Sequence, residues 1–267
     1  MSTQANQPPT STRRARRAAE RARTAPDARR GSPAGKGRSP ILLITAAAVG
    51  LGVVLLVGVV LLRGGPARAD STNLIAPATS APLALADGRT IGRADAPVTL
   101  EVWTDFQCPI CGEFARIVEP QLMDTYVTAG TLRIVHRDAA FQGAKSKSSY
   151  DESVEPAAGG RCAADQGRYW PFQAWTFANQ SGENKGAFAA SRMRAIAIAA
   201  GVDATAWDAC LATGQQQTAV RTETAQALAK GVNATPTMSI NGQVIVGLRS
   251  VAELGGLIEA AAAAAGG

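Results

Sequence analysis

The chain has one histidine, His136, and four cysteines in 267 residues. A structural zinc site needs four Cys or His ligands, usually as two closely spaced pairs. Only one such pair is present, Cys108-Pro109-Ile110-Cys111, and the other candidates, Cys162, Cys210 and His136, form no second one. A metal centre is poorly served and none is expected. Aromatic residues are scarce at 5%, and the first 40 residues have none. That segment carries ten Lys or Arg against Glu20 and Asp27, a net +8, so the other 227 residues sum to 6 − 8 = −2. The basic balance therefore belongs to a tail rich in Ala, Pro, Ser and Gly, the composition of a disordered segment. Its clusters, such as Arg13, Arg14, Arg16 and Arg17, could attract nucleic acid, but the composition favours a disordered tail and no nucleic-acid partner is expected. No internal repeat is visible.

Charge is missing from Ile41 to Leu62, 22 mostly apolar residues between Pro40 and Arg63. A bilayer core about 30 Å thick needs about 20 helical residues, so this run is expected to be a transmembrane helix. A buried soluble helix would show a polar face, which this run lacks. A cleaved secretory signal is the competing reading, because Ala67-Arg68-Ala69 has the small-x-small form of a cleavage site. The hydrophobic run exceeds the usual 7 to 15 or so residues of such signals, and the basic leader is too long. Ten upstream cations against Arg63 and Arg68 downstream place the N-terminus in the cytoplasm and the remainder outside, anchored to the cell membrane by a single pass. Disulfides persist in that compartment. The expected layout is a disordered basic cytoplasmic tail over 1–40, a membrane helix over 41–62, a Gly, Ala, Pro, Ser and Thr linker over 63–87, and a folded domain over 88–263.

Within that domain, Val98-Thr-Leu-Glu-Val-Trp-Thr alternates and is rich in β-branched residues, which predicts a strand running straight into Asp105-Phe-Gln-Cys-Pro-Ile-Cys. Phe114, Ile117, Val118, Leu122 and Val127 recur at helical spacing, predicting a helix over roughly 109–129 with a kink at Pro120. A second strand is expected from Leu132 to His136. An Ala-rich helical block of two or three elements follows, over about 150–214, and then a helix over Gln216–Lys230 closed by Gly231. Asn241-Gly242 between Thr237–Ile240 and Gln243–Val246 is a strong hairpin signal. A last helix starts after Ser250. The order predicts an α/β fold with mixed strand directions: a helical crossover joins parallel neighbours early, and a tight turn joins antiparallel ones late.

Cys108 and Cys111 lie three residues apart where a strand turns into a helix, a spacing that lets a disulfide open and close. Unpaired N–H groups and the helix dipole favour an anion at the helix start, which makes Cys108 the expected nucleophile. Cys111, one turn further in, is the expected resolving thiol. Pro109 suits the first turn, where its missing donor is not needed. With Cys108 and Cys111 as the redox pair, Cys162 and Cys210 remain for a structural disulfide, the alternative being two inert buried thiols. Closing a loop with 47 intervening residues would stabilise by roughly 4 kcal/mol in the chain-entropy model.

The chain resembles the DsbA-like disulfide oxidoreductases of the thioredoxin superfamily, in their membrane-tethered form, over roughly residues 88–260. The resemblance rests on Asp105-Phe-Gln-Cys-Pro-Ile-Cys-Gly, Arg133-Ile-Val-His-Arg-Asp, Cys162-Ala-Ala-Asp-Gln-Gly-Arg-Tyr-Trp, Gly231-Val-Asn-Ala-Thr-Pro-Thr and Ile240-Asn-Gly. It implies a thioredoxin-like fold with an inserted helical block. It also implies a cis Pro236 beside the cysteine pair, with Thr235 offering backbone hydrogen bonds to an extended substrate segment. No cofactor is expected. The implied partners are reduced or misoxidised exported proteins and a quinone-linked membrane protein that reoxidises the pair. One departure is that Pro109-Ile110 lacks the histidine of the best-known member, so Cys108 is expected to be less acidic than that member's nucleophile. His136 reads as an ordinary strand residue, and Tyr169, Trp170, Phe172, Trp175 and Phe177 as core of the helical block. The function expected is disulfide donation to exported proteins. The alternatives are a reductase or isomerase and, from another class, a module binding metal through Cys108 and Cys111.

Overall fold

A computed structural model of the protein describes residues 73–143 and 150–266. The chain divides into two units, Met1–Gly64 and Gly65–Gly267. The first, with the expected basic tail and membrane helix, lies outside the described residues, as does Ala67–Ala69. Among the described residues no helix is long and apolar enough to cross a membrane.

The second unit is built on a six-stranded sheet with short strands at one edge. In chain order the strands are β1 (Ala86–Asp87), β2 (Thr90–Ile91), β3 (Val98–Thr104), β4 (Leu132–Asp138), β5 (Thr237–Ile240) and β6 (Gln243–Val246), and in space they run β1-β2-β4-β3-β5-β6. β3 and β4 are parallel, with Val102 opposite His136, while β5 pairs antiparallel with β3, Met238 lying opposite Val102. β3 is thus interior, and Val98, Leu100 and Val102 are fully buried. The hairpin turns where Asn-Gly predicts it, with Asn241 and Gly242 both at positive φ. The Asn241 side chain then accepts from the Thr99 N–H at 2.8 Å and donates to the Pro97 carbonyl at 3.1 Å, fastening the turn to the start of β3.

Four helical segments, Pro109–Glu113, Phe114–Val118, Glu119–Leu122 and Met123–Val127, run on as one rod, α1. The kink expected at Pro120 takes a specific form. Pro120 cannot donate to the preceding turn, and the helix widens on either side of it, so that the Glu119 N–H bonds the Phe114 carbonyl and the Thr128 N–H the Met123 carbonyl. The remaining helices are α2 (Val154–Ala164), α3 (Tyr169–Ala178), α4 (Ala190–Ala199), α5 (Ala204–Ala212), α6 (Gln215–Ala229) and α7 (Val251–Ala265). The helical block therefore holds four helices, α2 to α5, where two or three are expected. Ala-rich sequence gives little contrast by which to separate them, and only Gly201 and the turn near Ser181-Gly182 mark boundaries. α7 begins on a capping box: the Glu253 N–H donates to Ser250 Oγ and the Ser250 N–H to Glu253 Oε2.

Two cores result. Leu100, Val102, Ile134 and Met238 of the sheet pack with Phe114, Val118 and Leu122 of α1 and Leu254 and Ile258 of α7. The helical block packs around Phe172, Phe177, Phe188, Ile196 and Trp207, and Cys108 and Cys111 belong to this second core. Phe172 and Phe177 are buried in the helical-block core as expected, with Trp175 half-buried against it, whereas Tyr169 and Trp170 are buried in the sheet core instead. Residues 74–87, inside the expected linker, make defined contacts of their own. Asn179 clamps Ile75 by accepting from its N–H and donating to its carbonyl, both at 2.9 Å, and Ala86–Ile91 forms the β1–β2 hairpin.

Candidate redox site

β3 ends at Thr104, and four residues, Asp105 to Cys108, turn the chain into α1. Asp105 shapes that turn. Its carbonyl accepts from the Cys108 N–H at 3.0 Å, and its carboxylate accepts from the Gln107 N–H and, across the loop, from the Gln142 N–H, each at 2.9 Å. Burial pushes this carboxyl up to about 6 against those donors, and negative charge on Cys108 pushes the same way. Cys108 is the N-cap of α1, in an extended conformation, with Pro109 following in the first turn.

Both cysteines are free thiols. Both are buried, at 4% and 1% exposed, with Cys111, one turn further in, the more enclosed of the two. They differ more in acidity. A hydrogen bond from the Cys111 thiol holds the Cys108 thiol down to about 6, against burial, which works the other way. The Thr235 hydroxyl, buried and with no other hydrogen-bond partner, and the N–H groups of Cys111 and Ile110 add to the effect. Burial raises the Cys111 thiol well above the usual range, and its hydrogen bond and proximity to Cys108 raise it further. The two sulfurs share one hydrogen bond that favours charge on Cys108 and a proton on Cys111. Backbone donors and the neighbouring thiol thus supply what Pro109-Ile110 does not.

Thr235 comes from the other end of the chain. The Thr235-Pro236 peptide bond is cis, and the Thr235 carbonyl accepts from the Cys108 thiol at 3.3 Å. The Pro236 carbonyl is taken by the Gly247 N–H at 2.8 Å, which ties this loop to the end of the hairpin. Cys162 and Cys210 are joined by a disulfide, with 5.9 Å between their Cα atoms, linking α2 to α5.

His136 is not an isolated strand residue. Its ring bonds Glu119 of α1 through Nε2 and the Tyr169 hydroxyl through Nδ1 at 3.0 Å, while Gln173 donates to the other Glu119 oxygen at 2.8 Å. All four residues are at most 3% exposed. This buried polar quartet joins α1, β4 and α3 beneath the redox helix. Sequence reasoning misses Asp105 and the quartet partners of His136. Asp105 had a local signal, since an Asp two residues before a backbone donor favours such a turn. The quartet had none, because its partners come from three separate elements. Among the described residues no group of three or more His, Cys, Asp or Glu is placed to hold a metal ion.

The acidity of Cys108 has a direct consequence. Its thiolate stabilises the folded reduced form fully above the unfolded thiol value of about 8.5, and that stabilisation is lost as pH falls through about 6. Iodoacetamide should accordingly alkylate Cys108 at a rate that is level above pH 7, half-maximal near pH 6 and about tenfold lower per unit below, as read by mass spectrometry. A midpoint above pH 8 would contradict the sulfur geometry.

An acidic thiol at a helix N-terminus, a second thiol one turn inside and a cis-proline loop at the first sulfur define a thiol-disulfide oxidoreductase. A sequence-family model described as thioredoxin matches residues 85–260, and the chain belongs to that family. No curated protein matches the chain. Among solved structures, it is similar to BdbD from Bacillus subtilis, at 19% identity and a TM-score of 0.59, covering 66% of this chain and 93% of that one. It is also similar to the disulfide bond oxidoreductase DsbG from Mycobacterium tuberculosis, at 25% identity and a TM-score of 0.53, with 68% and 93% covered. Mtb DsbA matches at 25% identity and a TM-score of 0.54, with 67% and 100% covered.

Proposed function

We propose that the protein is a membrane-anchored, extracytoplasmic disulfide donor. In the oxidised enzyme a client thiolate attacks Cys108 of the Cys108–Cys111 bond, forming a mixed disulfide and releasing the Cys111 thiolate, which takes up a proton. A second client thiolate then attacks the client sulfur of the mixed disulfide and expels Cys108. The client loses two electrons and two protons, and the pair gains the electrons. A quinone-linked membrane protein returns the dithiol to the disulfide. Thr235 and Pro236 serve as the main-chain platform for an extended client segment, indifferent to its side chains.

The observation that carries this reading is the Cys108 thiol held near 6, because a stable thiolate leaves readily and stabilises the reduced enzyme. Against the thioredoxin cysteine near 7, a more acidic Cys108 stabilises the reduced pair and moves its potential toward the oxidising side. The location is supported by the uncharged Ile41–Leu62 run behind ten cations and by the Cys162–Cys210 disulfide.

The test is the reduction potential of the pair, by equilibration with glutathione buffers and counting of free thiols. A value well above the roughly −270 mV of thioredoxin supports donation, and a value at or below it makes the protein a reductase.

A further inference from the structure

Gln180 lies just beyond the end of α3, 72 residues from Cys108, yet its side chain reaches the redox turn. Its amide nitrogen donates to the Phe106 carbonyl at 2.6 Å and to the Cys108 carbonyl at 3.0 Å. Its amide oxygen accepts from Arg116 Nη1 at 3.2 Å, and the same Arg116 nitrogen donates to the Phe177 carbonyl at 2.6 Å. Arg116 therefore fixes which way the amide faces, with the nitrogen toward the redox turn.

Gly112, directly after Cys111, carries an independent sign of the same arrangement. A Cβ built on it would lie 2.0 Å from Gln180 Oε1 and 2.6 Å from Arg116 Nη1. Glycine is among the poorest residues inside a helix, and here it leaves the space through which Gln180 passes. Any side chain at 112 would have to displace the amide.

We propose that Gln180 is a positioning residue for the redox pair, its amide nitrogen holding the carbonyls of Phe106 and Cys108 so that the helix start keeps its donors aimed at the Cys108 sulfur. This rests on the redox reading of Cys108 and Cys111. Both carbonyl oxygens carry partial negative charge in the turn that presents the sulfur. The amide hydrogens offset that charge, and without them the Cys108 carbonyl keeps only the Gly112 N–H, at 3.1 Å. Losing Gln180 would therefore disfavour the thiolate and shift the pair toward its disulfide.

The experiment compares full-length wild type, Gln180→Leu and Arg116→Met by three readouts: thiolate absorbance against pH, the glutathione equilibrium of the pair, and thermal melting. Gln180→Leu should raise the Cys108 midpoint by about half a unit to one unit and move the glutathione equilibrium roughly three- to tenfold toward the disulfide. Arg116→Met, a change on an exposed position of α1, should move both in the same direction by roughly twofold, and it carries the test if Gln180→Leu does not fold. Variants that melt lower but keep the wild-type midpoint and equilibrium would overturn the proposal and leave Gln180 a packing residue. A wild-type pair that does not exchange with glutathione would overturn the redox reading itself, and this proposal with it.

Discussion

Cys111→Ala should accumulate a covalent adduct between Cys108 and client proteins, while Cys108→Ser abolishes exchange altogether. The asymmetry follows from the sulfur geometry. Cys108 receives the hydrogen bond of its partner and the backbone donors of the helix start, whereas Cys111 is buried and holds its proton. With Cys111 removed, Cys108 loses the largest influence that lowers it, so its attack on disulfides slows, but the mixed disulfide it forms has no internal thiol to resolve it. Non-reducing electrophoresis should show higher-mass species in Cys111→Ala that collapse with dithiothreitol and are absent from Cys108→Ser. Stoichiometric metal on the wild type, with no adduct in Cys111→Ala, would instead indicate a metal-binding module.

Glu119→Leu should destabilise the domain by about 3 to 5 kcal/mol, among the largest losses expected from any single change outside the sulfurs. Glu119 accepts from His136 and Gln173 in a site closed to water. Its removal strands a histidine nitrogen and an amide without acceptors, and a buried polar group left unpaired costs far more than the bond itself was worth. The double variant Glu119→Leu with His136→Leu should recover part of the loss, because it removes both ends of the contact. Urea unfolding of the reduced domain measures this as a shift in midpoint at constant slope. Equal and additive losses in the single and double variants would show that the two residues do not act as a unit.

Local signals made some of this structure legible in the sequence. The Asn241-Gly242 hairpin and the start of α7 after Ser250 fall where turn and capping chemistry put them, because both are decided within four or five residues. β3 was legible from alternation: buried Val98, Leu100 and Val102 alternate with half-buried Thr99 and Glu101, and only at its end are Trp103 and Thr104 buried as well. The two-residue strands β1 and β2 fall below the length at which any pattern shows. The irregularity expected at Pro120 takes the form of widened turns on either side of it, which accommodate its missing donor. At the site, Cys108 and Cys111 stand out by spacing, but the groups that hold them do not. Thr235 with its cis Pro236 is reached through the family resemblance and not through spacing, whereas Gln180 and Ser153, which accepts from Gln107 at 3.0 Å, are ordinary residues placed by tertiary packing across long separations.

The separation between Cys108 and Thr235 is 127 residues, bridged only when β5 docks against β3. At synthesis rates of about 5 to 20 residues per second, roughly 6 to 25 seconds pass between the making of the sulfurs and the making of their platform. During that interval the nascent chain carries a C-x-x-C pair without the Thr235 carbonyl and hydroxyl beside it. A chain that stops before residue 235 leaves the ribosome with its sulfurs and without the loop beside them.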